Sequence, residues 1–275
     1  MAVSAVSRDV ALAIERVEAD ARRDQHACAP PEVRVALGLR TRELAGALAM
    51  ATDREESLLQ NRTLGLGLSE PVSEAMLDEL FAFYAGGPPA FAINLCPFAT
   101  PAGVERLLEQ RGMRTFFHHL KWCRGSEPPP EARTELRIER AGASRASAWG
   151  ALAARIHNAT PAHRAWSERV VGREHWSHYL ACDGDEPVAV GALFVRDGAA
   201  WLGGGGTLEE HRGRGAQSAL FARRIRDALE QGARWLTTET GPAWPDLPGQ
   251  SLRNAARAGF HPAYQRPSWI WPVPE

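Results

Sequence analysis

The residues best suited to chemistry stand in one run, His211-Arg212-Gly213-Arg214-Gly215-Ala216-Gln217-Ser218-Ala219-Leu220. Glycines at 213 and 215 allow a tight turn, and the two arginines give it positive charge. An apolar stretch precedes it and ends in four glycines, Gly203 to Gly206. After it, Leu220, Phe221, Ile225 and Leu229 recur at helical spacing to about Gln231, with Gly232 as a stop. The pattern predicts a strand, a glycine turn and the first turn of a helix. Such a turn aims backbone N–H groups and the positive end of a helix dipole at one point, which suits a phosphate or pyrophosphate. An ordinary loop with solvated arginines has the same composition, so the choice rests on the surrounding elements.

The chain has 275 residues, enough for two domains of ordinary size. Its 44% hydrophobic and 24% charged content is that of a soluble globular protein. A net charge of −1 argues against a nucleic-acid-binding surface. Cys28, Cys96, Cys123 and Cys182 are scattered, which predicts reduced thiols and a cytoplasmic setting. Nothing approaches the roughly 18 apolar residues of a membrane helix, and no leader pattern opens the chain. His118-His119 with Cys123 lacks a fourth ligand, so no metal site is expected.

The positioning elements follow from periodicity. An amphipathic helix is expected from Ser4 to Gln25, stopped near Pro30-Pro31. Val33 to Leu39 and Leu44 to Ala51 read as strands. Strands at Thr63–Leu68, Phe91–Leu95 and Met113–Trp122 alternate with helices from Ser73 and from Pro101 to Gln110. Gly125 to Pro130 reads as a linker. Beyond it come a strand at Leu136, helices at Ala146–His157 and Ala162–Val171, and a hairpin of His175–Cys182 with Val188–Arg196. After the turn and its helix, a strand at Ala233–Thr240, a helix at Pro248–Ala258 and a last strand at Phe260–Trp271 complete the order.

The halves echo each other. At an offset of 147 (259 − 112), Pro101 meets Pro248, Arg106 meets Arg253, Gly112 meets Gly259 and Trp122 meets Trp269. A duplicated unit accounts for this; two similarly wired units sharing residues by chance is the alternative. In the first copy the turn is Leu68-Ser69-Glu70-Pro71-Val72, where Glu70 would repel a diphosphate.

The turn and the elements after it, through Gly259-Phe260, resemble the GCN5-related N-acetyltransferases (GNAT), whose acyl-CoA loop reads Arg/Gln-x-x-Gly-x-Gly/Ala. Arg212 and Gly215 match, and Gln217 stands where Gly or Ala is usual. The resemblance covers about residues 134–271 and implies an α/β (α+β) fold of two GNAT-like lobes, each a mixed, mostly antiparallel sheet flanked by helices. Residues 1–124 would be a degenerate lobe, 125–133 a linker and 134–275 an acetyl-CoA-binding lobe. It implies acetyl transfer from acetyl-CoA to a primary amine, on a small molecule or a peptide, by direct attack. Neither nucleic acid nor membrane is an expected partner, and an oligomer is compatible with the pattern. The strand at Gly203–Leu208 would pair with the pantetheine arm through Gly205, Gly206, Thr207 and Leu208. Arg212, Gly213, Arg214, Gly215, Ala216 and Gln217 would hold the pyrophosphate.

In ribosomal-protein alanine acetyltransferases of this family, a Glu on the strand after the loop helix is the base, and Glu239 stands in a comparable place. A structural carboxylate is the rival reading of Glu239, and His157, His163 and His211 are rival bases. The family's usual Tyr proton donor would fall at Ala255, so the match fails there, and Tyr264 is the other phenol to consider. Ser251 and Asn254 would face the thiol end of the cofactor, or else cap a helix and face solvent. Arg223, Arg224 and Arg226 form a basic patch, read as a solvated helix face or a contact to the 3′-phosphate. Asn158, Trp166, Trp176, Trp201 and Trp244 are candidates for an acceptor pocket. A nicotinamide site is excluded because the third Gly of G-x-G-x-x-G is missing. The rival function is a non-catalytic CoA-binding or protein-interaction module of the same fold.

Overall fold

A computed structural model describes residues 6–241 and 249–272. Ser4, Trp244 and Pro248 lie outside the described residues. In the N-terminal half, helix α1 (Arg8–Ala27) and helix α2 (Pro31–Leu37) precede strands β1 (Leu39–Leu44), β2 (Ala47–Thr52) and β3 (Arg62–Leu64). Helix α3 (Glu74–Tyr84), strand β4 (Phe91–Asn94), helix α4 (Val104–Gln110) and strand β5 (Arg114–Arg124) follow. The C-terminal half runs β6 (Arg137–Ala141), α5 (Ala146–His157), α6 (Pro161–Val170), β7 (Trp176–Asp183), β8 (Glu186–Arg196) and β9 (Ala199–Thr207). It ends with α7 (Ala216–Glu230), β10 (Trp235–Thr240), α8 (Gln250–Arg257) and β11 (His261–Trp271).

Local chemistry sets most of the boundaries. Ser7 and Ser73 cap α1 and α3 by accepting from Val10 N and Met76 N. Thr160 caps α6, with Pro161 in its first turn. The segment expected as a strand from Val33 is instead helix α2. Pro31 starts it, and Gly38, at φ +65°, ends it in the left-handed conformation. A proline start and a glycine stop outweigh the β-branched valines.

The eleven strands of the described residues form one sheet in the order β1-β2-β3-β4-β11-β5-β10-β9-β8-β7-β6. The last strand of each half therefore lies inside the sheet of the other. β11 sits between β4 and β5, and β5 between β11 and β10. The register makes this exchange symmetric. His119 faces Arg266, its own repeat partner at the offset of 147 (266 − 119). Asn94 pairs with Ser268 on β4–β11 as Glu239 pairs with Lys121 on β10–β5. The two lobes expected from sequence are thus halves of a continuous sheet, joined by hydrogen bonds rather than by the linker alone.

Helix α7 packs on one face of the C-terminal strands through Leu220 and Ile225 against Leu193, Leu202 and Leu236, with Phe260 in the same core. On the other face α1 and α5 bring Val17, Trp149 and Leu152 against Leu180, Phe194 and Trp201. Helix α1 belongs to the N-terminal half yet covers strands of the C-terminal half. The gap between β3 and β4 in the first half is bridged by backbone bonds, Thr100 N to Gly67 O at 2.9 Å and Val72 N to Thr100 O at 2.8 Å.

Candidate functional site

A cleft of about 660 Å³ opens where β9 and β10 part. These parallel strands pair only from Trp235/Ala199 to Thr237/Trp201. At the next step Thr238 Oγ1 donates to Leu202 O at 2.8 Å, and beyond it β9 runs on with β8 as its one neighbour. Among the described residues the backbone edge of Gly203 to Thr207 facing β10 is therefore unpaired in the sheet, and Gly204 and Gly205 are exposed. An unpaired edge of this kind can accept an extended, amide-bearing chain as an added strand.

At the end of this edge stands the glycine turn. Gly215 takes φ +80° as N-cap of α7 and no side chain caps the helix, so the first-turn N–H groups are left for a ligand. A Cβ at Gly215 would lie 2.3 Å from Arg133 O, and Thr134 Oγ1 donates to Arg214 O at 2.7 Å. The end of the expected linker and the first residues after it thus brace the turn.

Of the cofactor residues expected from sequence, Gly205, Gly206, Thr207, Arg212, Gly213, Gly215, Ala216, Gln217, Ser251 and Asn254 line the cleft. Two do not. Leu208 is buried in the apolar core. Arg214 turns away to Asp183, which accepts from both of its terminal nitrogens. Gln217 does not leave its amide in the path of the turn. Its Nε2 donates to Gly206 O at 2.9 Å and Thr207 Oγ1 at 3.1 Å, tying α7 to β9. Ser251 and Asn254 are joined by Gln250 and Arg257 on α8, and by Thr240 from β10. Arg257 was legible as the next residue on the face of Asn254, three positions on.

The cleft lining includes Arg212, Arg224, Arg257, His157 and His211, and among the described residues it includes no carboxylate. His157, at the C-terminal end of α5, is exposed to the cleft, and partial desolvation against the protein holds its imidazole below the ordinary pKa, opposed by a hydrogen bond to the Gly204 backbone. It is thus a neutral proton acceptor at pH 7.

Glu239 and Tyr264, the catalytic pair expected from sequence, lie elsewhere. Glu239 projects to the α1 face, where Arg62 Nη1 donates to it at 3.2 Å and Arg266 Nη2 donates to its other oxygen. It belongs to a network in which Glu15 and Glu18 of α1 meet Arg62, Lys121 and Arg266. Burial raises a carboxyl pKa, but Arg266 and Arg62 outweigh it and hold Glu239 at about 2. Such a group is a poor base at neutral pH. Tyr264 is buried and donates to Glu15 Oε1 at 2.7 Å, and burial beside that carboxylate pushes its phenol pKa well up.

The expected acceptor pocket is dispersed. Trp166 is core, its Nε1 donating to Gln25 O, and Trp176 donates to Asp24. Trp201 is buried beneath Arg22, whose Cζ lies 5.0 Å from the ring centroid. Asn158, at φ +49°, ends α5. His163 bonds Thr160 and approaches Glu55 at 3.2 Å, away from the cleft. All four cysteines are free, and no cluster among the described residues could hold a metal. No described helix is long and apolar enough to cross a membrane.

Residues 145–243, which contain the splayed strand, the turn and α7, match the acetyltransferase (GNAT) family. No curated protein matches the chain. The structure is similar to a GCN5-related N-acetyltransferase from Kribbella flavida, at 18% identity over 95% of this chain and 96% of that one, with a TM-score of 0.64. It is similar to another from Sphaerobacter thermophilus, at 17% identity over 97% and 93%, with a TM-score of 0.54. A tandem GNAT protein from the clavulanic acid biosynthesis pathway is 13% identical over 82% and 77%, with a TM-score of 0.57. At these identities the likeness is one of fold. Residues 145–243 thus match the GNAT family, within a chain whose whole fold is like that of tandem GNAT structures.

Proposed function

We propose that the chain is an acyl-CoA-dependent N-acyltransferase that moves an acetyl group from acetyl-CoA to a primary amine. The observation that carries this reading is the cleft: a strand edge unpaired among the described residues leads to an uncapped helix N-terminus, between described walls that carry arginines and no carboxylate. A ligand combining an amide-bearing arm with a diphosphate fits that sequence of features. The unpaired edge of β9 would hold the arm, and the turn with Arg212 would hold the diphosphate. Residues 1–124 and 134–275 would act as one unit, since each supplies a strand to the other's sheet.

The amine nitrogen attacks the thioester carbonyl, a C–N bond forms, the C–S bond breaks, and the thiolate leaves as CoA. The attacking amine must lose a proton. His157, neutral and at the cleft, is the group we assign to accept it, in place of Glu239. The acceptor is an amine of a small molecule or a peptide.

Calorimetry with acetyl-CoA tests the reading, on wild type and on Arg212→Glu combined with Gly205→Phe. The φ of Gly205 is not positive, and a Cβ there meets the flexible end of Gln217 at 3.1 Å and the Arg224 guanidinium at an ordinary contact distance of 3.8 Å, so the backbone accepts a side chain at this position. Micromolar binding by wild type and a loss of at least about tenfold in the variant are expected, about 1.4 kcal/mol. Wild type that fails to bind acetyl-CoA overturns the reading. Wild type that binds it but consumes none with any amine leaves a CoA-binding module.

A further inference from the structure

The sequence reads Arg224 as part of a solvated helix face or as a contact to a 3′-phosphate. It is instead 1% exposed, on the third turn of α7 beneath β9, and it lines the cleft. Its Nε donates to Leu220 O at 3.1 Å, and its Nη1 to Ala192 O at 3.2 Å and Gly203 O at 3.3 Å. Nη2 is buried and has no hydrogen-bond partner among the described residues. Among the described residues no carboxylate pairs with the guanidinium, whose Cζ lies 4.5 Å from the centroid of the Phe221 ring. The sheet makes room for it: a Cβ at Gly191 would lie 2.9 Å from Cζ, a distance real Cβ atoms do not show.

A buried donor left without an acceptor is unfavourable, and more so on a charged group. The Nε and Nη1 donors of this guanidinium are satisfied by backbone carbonyls. Nη2 is not, and it lies beside Gly205, whose Cβ position is 3.8 Å from it. Arg224 lies eight residues past Ala216, the start of α7. At 1.5 Å per residue it is about 12 Å along the helix axis from the anion-binding turn. A ligand anchored by its diphosphate in the turn would bring its extended arm to this depth.

We propose that Arg224 is a binding residue for the acyl-thioester arm of the donor, its Nη2 donating to a carbonyl oxygen of that arm. This rests on the acyl-CoA reading of the cleft. The arm completes a hydrogen-bond set that the protein leaves unfinished, so Arg224 distinguishes ligands that carry the arm from those that carry only the nucleotide.

Calorimetry with CoA and with adenosine 3′,5′-bisphosphate, which lacks the arm, separates these roles. Arg224→Met should weaken CoA about tenfold and leave the bisphosphate unchanged, while Arg224→Lys, which keeps a charged donor, should recover most of the loss. Equal weakening of both ligands, or of neither, overturns the proposal. Should Arg224→Met fail to fold, the guanidinium N–H resonances of wild type give the same answer. They should move with CoA and stay with the bisphosphate, and any other pattern overturns it. Wild type that binds neither ligand removes the cofactor reading and this proposal together. Wild type that binds CoA without help from Arg224 removes only the proposal.

Discussion

Replacing Glu239 by Gln separates a catalytic carboxylate from a structural one. The side chain is 12% exposed and accepts from two guanidiniums, Arg62 and Arg266, that are themselves 1% and 0% exposed. Bringing its carboxyl from the ordinary 4.5 to about 2 corresponds to about 3 kcal/mol of native-state stabilisation. Removing one partner of a buried ion pair costs about 3–5 kcal/mol, which agrees. With about 2 cal/mol/K of unfolding entropy per residue over 275 residues, the melting temperature should fall by about 5 °C. The sign with pH is fixed, because a carboxyl with a depressed native pKa stabilises fully above about 4.5 and progressively less as pH falls toward about 2. The gap between wild type and Glu239→Gln should therefore be full at pH 7 and close through that window. Thermal melts followed by circular dichroism across pH would show it. Equal melting temperatures at pH 7, together with lost turnover in the variant, would refute the structural assignment and restore Glu239 as the base.

Tyr264→Phe should lower stability by about 1–2 kcal/mol, through loss of the buried hydroxyl donor to Glu15. Chemical denaturation would measure it, and the pH profile of any turnover should keep its shape, since the phenol lies outside the cleft. Gln217→Ala should release Gly206 O and Thr207 Oγ1 from the amide that now bridges α7 to β9. Amide hydrogen exchange along Gly203–Thr207 should then rise several-fold, while the global melting temperature moves by about 2 °C or less. An unchanged exchange rate would mean that Gln217 does not hold the edge.

The exchanged strands bear on how the site is kept open. β10 is held on one side by β9 only as far as Thr237, and on the other by β5 of the first half along its length. Trp122 of that same β5 donates from Nε1 to Thr240 Oγ1 at 3.0 Å, and Thr240 lines the cleft. The first half thus fixes the far wall of the cleft that the second half opens.

The sequence by itself determined what neighbouring residues decide together. The glycine turn and the helix after it, the cap at Ser73, and the hairpin of β7 and β8 are written within a few positions of each other. The parallel order of the two halves was legible as well, because several residues recur at one spacing. Contacts made across long separations were not legible. Arg62 meets Glu239 across 177 positions and Tyr264 meets Glu15 across 249. Only the strand exchange and the placement of α1 over β9 and β10 bring those groups together, so a carboxylate and a phenol suited to proton transfer became buried partners of cations and of a carboxylate on α1. Arg224 carries the same lesson on a smaller scale. Its position on α7 suits solvent as well as core, and the absence of a side chain at Gly191, 33 positions away (224 − 191), is what let it turn inward. Local pattern sets the elements; the burial of charge depends on which elements the topology packs together, and that decides which ionisable groups are left free to act.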